Sequence, residues 1–172
     1  MSFKNVMVAG TGVLGSQIAY QTALNGFHVI AYNDSVDSAK KRLAALQPAY
    51  EADMGLSKDD FDKVLDQIVV TDDLTTAAQD VDYVIEALPE NIAIKEGFYK
   101  QLSKLAPEKT VFASNSSTMI PSQLVKFVDR PAKFLNMHFA NRIWKCNVAE
   151  IMGTKQTDPA VFQEVVDFAH QI

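Results

Sequence analysis

The sequence contains very little cysteine, no excess of positive charge and no long hydrophobic run. A single cysteine, Cys146, occurs among 172 residues, so no internal disulfide can form, as is usual in a reducing cytosol. Lys and Arg number 16 against 21 Asp and Glu, a net charge of −5 that argues against a nucleic-acid partner. No run approaches the roughly 20 apolar residues of a membrane span, and no signal-peptide segment is evident. We therefore expect a cytoplasmic protein that binds neither membranes nor nucleic acid.

Short apolar segments alternate with longer helical patterns along the chain. The candidate strands are residues 6–9, 28–32, 68–70, 83–87, 111–113 and 134–138. The candidate helices are residues 13–25, 36–50 (disturbed at Pro48), 57–65, 92–105, 121–128 and 159–172. Near-continuous apolar strands are typical of parallel sheets covered on both faces. The pattern therefore predicts an α/β fold of Rossmann type, a doubly wound, mostly parallel sheet with helices on both faces.

A G-x-G-x-x-G motif separates the first strand from the first helix. Its residues are Gly10, Thr11, Gly12, Val13, Leu14 and Gly15. In this position the first glycine permits a tight turn, the second lets a pyrophosphate approach the backbone, and the third allows helix and strand to pack closely. The free N–H groups at the helix start then hold the phosphate charge. The alternative is an ordinary turn without a ligand.

Two polar residues at the end of the second strand bear on the choice of cofactor. Asp34 follows Gly15 by 19 residues, the distance at which dinucleotide sites place an acid on the ribose 2′-hydroxyl. An acid there favours NAD over NADP, and no arginine is expected beside it, since residues 40–42 (Lys-Lys-Arg) lie a turn or more further along. Asp34 could instead cap the next helix. Residues 40–42 suggest a basic patch, or simply a solvated helix face.

Polar clusters follow three later strands. They are residues 86–91 (Glu-Ala-Leu-Pro-Glu-Asn), 114–118 (Ser-Asn-Ser-Ser-Thr) and 138–141 (His-Phe-Ala-Asn), followed soon by residues 149–151 (Ala-Glu-Ile). In an open α/β sheet, the carboxyl ends of the strands form the edge that binds ligands. We therefore expect these clusters to share one site.

Together these motifs resemble the NAD-binding domain of the L-3-hydroxyacyl-CoA dehydrogenases, including the bacterial 3-hydroxybutyryl-CoA dehydrogenases. The resemblance runs from Val6 to beyond Glu150. His138 follows Ser117 by 21 residues, and Glu150 follows His138 by 12, both of which match the family's serine–histidine–glutamate spacing.

The resemblance implies three catalytic residues. His138 matches the base that takes the proton of the substrate 3-hydroxyl, a role suited to an imidazole near neutral pH. Glu150 matches the carboxylate paired with that histidine, and Ser117 matches the serine that hydrogen-bonds the reacting oxygen. The non-catalytic alternatives are a structural histidine, a glutamate on a surface strand and a serine in a turn or helix cap.

Further residues are implied to line the cofactor site. They are Glu90, Lys95, Asn115 and Asn141, together with Ser117, the glycine motif and Asn33 or Asp34 at the ribose. Lys95 could instead be a solvated charge on its helix. No metal site is expected.

The sequence departs from the family pattern at two points. The ribose acid of the family aligns with Asn33 rather than Asp34. The usual H-F-F-N-P reads H-F-A-N-R at residues 138–142. Losing the proline is expected to free the loop backbone, and Arg142, Trp144 and Lys145 are expected to add charge and bulk near the site.

The family's helical C-terminal domain, which forms the dimer and much of the acyl-CoA pocket, is not in this sequence. We expect residues 1–172 to be one NAD-binding domain of an enzyme that is a homodimer through that missing domain. Alone, the chain should fold, bind NADH and be nearly inactive.

The implied reaction is NAD-dependent oxidation of an L-3-hydroxyacyl-CoA, of short chain, to the 3-oxoacyl-CoA. One alternative is a dehydrogenase of a non-CoA hydroxy acid or hydroxy sugar acid. Another is a non-catalytic NAD(H)-binding module.

Overall fold

The computed structural model describes residues 3–172, which form one seven-stranded sheet flanked by helices. The strands are β1 (Asn5–Ala9), β2 (His28–Tyr32), β3 (Val69–Thr71), β4 (Tyr83–Glu86), β5 (Val111–Ser114), β6 (Phe134–Phe139) and β7 (Ala149–Met152). The helices are α1 (Val13–Leu24), α2 (Val36–Ala44), α3 (Gln47–Met54), α4 (Lys58–Leu65), α5 (Leu74–Ala78), α6 (Ile92–Leu105), α7 (Pro121–Leu124), α8 (Ile143–Cys146) and α9 (Pro159–Gln171). Short 3₁₀ turns cover Val125–Phe127 and Pro131–Lys133.

The strand order is β3-β2-β1-β4-β5-β6-β7. The pairs from β3 through β6 are parallel, and β7 alone runs antiparallel to its neighbour β6. The chain leaves β3 at one edge and returns to the middle of the sheet as β4, beside β1. This reversal opens a crevice at the carboxyl ends of β1 and β4, where such folds bind ligands. The predicted Rossmann-type fold is confirmed.

The core lies on both faces of the sheet, as the continuous apolar strands predicted. In β1, Val6 and Val8 pack into one hydrophobic cluster while Met7 and Ala9 pack into the cluster on the opposite face. All four side chains are fully buried. Because both faces are covered, the carboxyl end of the strand is fixed from either side, which positions the glycine turn that follows it.

Two local predictions were wrong, and one strand was missed. Pro48 does not disturb the end of one long helix; it lies in the first turn of a separate helix, α3, where its fixed φ is favourable and its missing N–H costs nothing. Ser35, and not Asp34, caps α2 by accepting from the Ser38 N–H. Strand β7 was not predicted, because it is only four residues long, lies at the sheet edge with none of them fully buried, and contains Glu150 within its apolar residues.

Within residues 3–172, no helix is long and apolar enough to cross a membrane. Cys146 is a free, exposed thiol on α8.

Candidate active site

The glycine turn between β1 and α1 has the geometry that a dinucleotide needs. Gly10 has φ +93°, and a Cβ there would lie 2.6 Å from the Ala87 carbonyl oxygen. A Cβ on Gly15 would lie 1.8 Å from the Gly10 oxygen, so neither position can carry a side chain. A Cβ on Gly12 would meet no described atom within 4 Å. The outer glycines therefore close the turn, while the middle one leaves its outer side open to a ligand.

Beside this turn lies a cleft of about 720 Å³, a size typical of small-molecule and cofactor sites. Its walls come from the glycine turn, the end of β2, residues 87–90 and α6. Thr11 Oγ1 is buried in the turn and has no partner among the described residues. Among the described residues, no side chain caps the start of α1 at Gly12. The N–H groups in the first turn of α1 can therefore hold a phosphate. These features fit a bound dinucleotide.

The end of β2 places two polar residues on this cleft. The Asn33 amide oxygen accepts from the Thr11 backbone N–H at 3.1 Å, and its nitrogen donates to Asp34 Oδ1 at 3.0 Å. Asn33 thus ties the glycine turn to the strand, and Asp34 stays exposed on the wall of the cleft. Arg42 lines the same cleft, because α2 presents Ser38 and Arg42 on one face, four residues apart. Arg42 is thus an arginine on the cleft wall that also carries Asp34, while the absence of an arginine directly beside Asp34 stays a prediction.

Under α6 lies a buried ion pair. Lys95 Nζ is 2.5 Å from Glu86 Oε1, and both side chains are fully buried. The other oxygen of Glu86 accepts from Ser114 Oγ at 2.7 Å and from the Tyr99 hydroxyl at 3.1 Å. Lys95 lies 3.5 Å from Glu90 Oε1. The reading of Lys95 as a solvated helix charge was wrong, and its contact with the cofactor stays a prediction.

Glu90 connects this network to the loop that carries Ser117. Its Oε2 accepts from Ser116 Oγ and from Thr118 Oγ1, each at 2.6 Å. Partial burial would raise the pKa of Glu90, but these two hydrogen bonds and the Lys95 ammonium group outweigh it and lower the pKa below its usual value. The carboxylate therefore holds the residues on either side of Ser117, which is itself exposed.

The same loop is bonded to the strand that carries His138. Asn115 Oδ1 accepts from the Phe139 N–H at 2.9 Å, and the Asn136 amide nitrogen donates to the Met119 carbonyl at 2.7 Å. Asn115, predicted to line the cofactor site, is thus shown here to hold the serine loop against β6.

His138 and Glu150 face each other across the antiparallel pair β6–β7. His138 Nδ1 lies 2.8 Å from Glu150 Oε2. Because a carboxylate can only accept, Nδ1 carries the proton of the neutral ring, and the lone pair lies on Nε2. The side chains are 27% and 63% exposed, so a reactant can reach the pair. Glu150 lies on a surface strand, as the non-catalytic alternative predicted, and it is also the partner of His138.

The loop between β6 and β7 is held from two sides. Gln17 of α1 donates to Asn141 Oδ1 at 2.7 Å and accepts from the Arg142 N–H at 2.8 Å. Asp53 of α3 accepts from Trp144 Nε1 at 3.0 Å and Lys145 Nζ at 2.9 Å, and it pairs with Arg142.

These contacts correct the expected consequence of the lost proline. Arg142 has φ 62°, which proline cannot adopt, and the loop is clamped rather than freed. Hydrogen bonds from Lys145 and Trp144, and the Arg142 guanidinium, lower the pKa of Asp53 to about 2 against the effect of its partial burial. The three side chains expected to crowd the site are therefore bound to Asp53, whose own side chain is 11% exposed.

Sequence reasoning missed both Gln17 and Asp53. Neither belongs to a motif, and their partners lie 89 to 125 residues away in the chain. For Gln17, the sequence shows a glutamine within a predicted helix, but a single sequence does not show that the residue is buried.

No group of three or more His, Cys, Asp or Glu side chains that could hold a metal occurs in the described part of the chain.

Comparison with known proteins agrees with this geometry. The profile of the family described as "3-hydroxyacyl-CoA dehydrogenase, NAD binding domain" matches residues 5–172. A probable 3-hydroxybutyryl-CoA dehydrogenase of Bacillus subtilis is 31% identical over the whole chain, which spans 61% of that protein. The human mitochondrial hydroxyacyl-coenzyme A dehydrogenase is 29% identical over 96% of the chain, which spans 55% of it. Each of these relatives is thus considerably longer than the matched region.

A solved structure of a diketoreductase, described for the dual catalysis of dicarbonyl compounds, is 50% identical. It superposes with a TM-score of 0.96 over 99% of this chain and 62% of its own.

Proposed function

This chain belongs to the 3-hydroxyacyl-CoA dehydrogenase family, as an NAD-binding domain, and from that membership we propose that the protein oxidises an L-3-hydroxyacyl-CoA to the 3-oxoacyl-CoA. A short acyl chain is preferred in this proposal, because the motifs resemble those of the compact bacterial enzymes, and a probable 3-hydroxybutyryl-CoA dehydrogenase is among the relatives. The observation that carries it is the His138–Glu150 pair on the adjacent strands β6 and β7. The pair lies at the carboxyl end of β6, and the cofactor cleft lies at the carboxyl ends of the parallel strands β1, β2 and β4 of the same sheet.

The residues would divide the work as follows. NAD, when bound, supplies the hydride acceptor, and the protein supplies position and proton transfer. His138 Nε2 accepts the proton of the 3-hydroxyl as hydride leaves carbon 3. Glu150 on Nδ1 holds the ring in the required tautomer and stabilises the imidazolium that forms. Ser117, in the loop held by Glu90 and Asn115, donates to the reacting oxygen.

Cofactor binding is assigned to the glycine turn and its surroundings. The N–H groups at the start of α1 hold the pyrophosphate, and Asp34 holds the ribose. We assign Asn141, three residues after His138, and Glu90, on the wall of the cleft, to the reacting end of the cofactor, and Lys95, 3.5 Å from Glu90, to its support. The protein should therefore take NAD in preference to NADP.

A second candidate is a dehydrogenase of a non-CoA compound, acting in the reverse direction as a reductase of a dicarbonyl. It is favoured by the 50% identity to a diketoreductase and by the clamped loop at residues 140–148, which replaces the family's proline-containing turn. The catalytic residues would be the same, since His138 would take a proton from the hydroxyl in the oxidation and return one to the carbonyl oxygen in the reduction.

A substrate panel separates the two candidates in the natural protein. NADH oxidation is followed with acetoacetyl-CoA, free acetoacetate and an uncharged dicarbonyl ester. The proposal predicts the largest kcat/KM for the CoA thioester. If a free dicarbonyl compound is turned over faster, the acyl-CoA assignment fails and the second candidate is supported. No turnover with any of them, together with NADH binding, would indicate a non-catalytic binding module.

The isolated 172 residues are proposed to bind NADH but to turn over very little. Titration with NADH and a turnover assay on the same sample test this. Robust turnover by these residues alone would contradict the assignment of the acyl pocket and dimer contacts to a further helical domain.

A further inference from the structure

Gln17 is a buried polar residue on the helix that begins at the glycine turn. Its side chain reaches the loop behind His138, and the residue is 4% exposed. It forms no part of the dinucleotide motif, which ends at Gly15. A buried amide is retained at little cost only when its donors and acceptors are paired, so the identity of its partners indicates what it does.

The backbone N–H of Arg142 fixes the orientation of two side-chain amides. This group can only donate, and it points at Gln17 at 2.8 Å and at Asn141 at 2.9 Å. Both atoms that face it must therefore be oxygens, Oε1 and Oδ1. The remaining atom of the Gln17 amide is then Nε2, which donates to Asn141 Oδ1 at 2.7 Å.

In the described residues, the amide nitrogen of Asn141 remains available as a hydrogen-bond donor. Its oxygen already accepts two hydrogen bonds, while its nitrogen has no partner in residues 3–172, and the residue is exposed. Asn141 lies three residues after His138. It therefore presents an N–H₂ donor to the site, and a donor of this kind recognises a carbonyl oxygen and not another N–H.

We propose that Gln17 is a positioning residue that fixes Asn141 as a hydrogen-bond donor to a carbonyl oxygen bound beside His138. Two bound groups offer such an oxygen, the carboxamide of the nicotinamide and the carbonyl of the substrate. The inference rests on the proposed function only in placing a ligand beside Asn141. It explains why a helix that starts at the phosphate site also contacts the loop between His138 and Glu150.

The departure from proline at position 142 belongs to the same arrangement. Proline has no N–H and cannot adopt the φ of 62° found at Arg142. A chain with proline there would lack the donor that sets both amides. Gln17 and a non-proline residue at position 142 therefore act together.

The test is the near-isosteric change Gln17→Glu in the natural protein. A carboxylate still accepts from the Arg142 N–H but cannot donate to Asn141, so two acceptor oxygens face each other where the 2.7 Å hydrogen bond was. Asn141 is then displaced, or turns and gives up its hydrogen bond from the Arg142 N–H, and in either case its N–H₂ is no longer held toward the ligand. Loss of this donor should lower binding or kcat/KM by about 10- to 100-fold. Gln21→Glu is the matched control, since Gln21 lies one turn further along the same face of α1 and its side chain bonds Tyr50 and Ile172 rather than Asn141 or Arg142. It should stay within about twofold of wild type.

Three ligands distinguish the source of the carbonyl. NADH and ADP-ribose are titrated separately, and the substrate KM is measured with NADH saturating. A nicotinamide carbonyl is indicated if Gln17→Glu weakens NADH but not ADP-ribose, which lacks the nicotinamide. A substrate carbonyl is indicated if NADH affinity is kept and kcat/KM falls. The first readout is binding alone, so it stands even if the proposed reaction fails.

A second variant keeps the proposal falsifiable if Gln17→Glu does not fold. Asn141→Asp places an acceptor at the same point on an exposed residue, and it should cause the same loss, with no further loss when both changes are combined. The proposal is overturned if Asn141→Asp keeps wild-type affinity and turnover. It is also overturned if Gln17→Glu weakens NADH and ADP-ribose equally, or has no larger effect than Gln21→Glu.

Discussion

In the proposed mechanism, His138 depends on one neighbour across the sheet. The register of β6 and β7 sets Glu150 opposite it, and the 2.8 Å contact to Nδ1 leaves Nε2 as the basic atom. A histidine at a strand end would otherwise be free to present either nitrogen. The catalytic assignment therefore rests on a cross-strand pair, which backbone hydrogen bonding holds in place.

Replacing Glu150 by Gln keeps the size of the side chain and removes its charge. The amide can still hold the ring but does not stabilise the imidazolium, so kcat should fall by about 10- to 1,000-fold while the Kd for NADH is unchanged. Steady-state kinetics and an NADH titration measure the two quantities. The control is Glu164→Gln on α9, a glutamate that lies outside the site. Wild-type kcat in Glu150→Gln would show that the pair is only structural.

Asp34 should decide between the two nicotinamide cofactors. Its charge repels a 2′-phosphate, and Arg42 on the same cleft would attract one once that charge is removed. Asp34→Ala should therefore raise NADPH affinity relative to NADH by about tenfold or more. Parallel fluorescence titrations measure the ratio, with Asp37→Ala on the first turn of α2 as the control. An unchanged ratio would mean that Asp34 does not contact the ribose.

At the scale of elements, α6 is joined to the sheet by a fully buried ion pair. Lys95 lies under the helix and neutralises Glu86 at the end of β4, while Ser114 and Tyr99 complete the hydrogen bonds of the carboxylate. Removing one partner of such a pair leaves an uncompensated buried charge. The pair therefore fixes the position of α6 on the sheet, and with it one wall of the cofactor cleft.

Lys95→Met should destabilise the fold by about 3–5 kcal/mol, because Glu86 is left buried without its partner. Urea denaturation of the variant and the wild type gives the difference in the free energy of unfolding. Lys100→Met is the control on the same helix, since its pair with Glu96 is exposed and is expected to contribute less than about 1 kcal/mol. Equal effects of the two changes would contradict the buried-pair account.

The α8 loop is tied to α3 by Asp53. Because its pKa is lowered from 3.8 to about 2 in the folded state, Asp53 contributes stability that is fully present above pH 4 and is lost as the pH falls toward 2. Asp53→Asn should therefore be less stable than wild type at neutral pH, with the difference shrinking across that interval. Urea titrations at several pH values, followed by Trp144, the single tryptophan, measure this. A difference that does not depend on pH would contradict the clamp.

At the scale of the whole molecule, the sequence predicted those features that depend on short stretches of chain. Continuous apolar strands, the glycine turn and the clusters at strand ends are short-range patterns, and they placed six strands and the cofactor cleft. The glycine turn is local in its motif and in the close contact of Gly15 with the Gly10 backbone, whereas the close contact at Gly10 is with Ala87, after β4.

What could not be read depends on tertiary packing. The edge strand β7 exists because β6 lies beside it, and its own residues carry no strand pattern. Gln17 and Asp53 reach the β6–β7 loop across about 90 residues or more of chain. Arg42 reaches the ribose cleft only through the placement of α2. The catalytic pair was proposed from family spacing, and its geometry required the register of the sheet.

The measurement that tests the central claim most directly is paired binding and turnover with His138→Gln in the natural protein. Acetoacetyl-CoA reduction is followed by loss of NADH absorbance, and the Kd for NADH is measured by fluorescence on the same preparation. The account predicts that NADH affinity is unchanged and that turnover falls by about 100- to 10,000-fold, because the group that exchanges the proton with the reacting oxygen is gone. Turnover at the wild-type rate would remove His138 from the chemistry and contradict the proposed function.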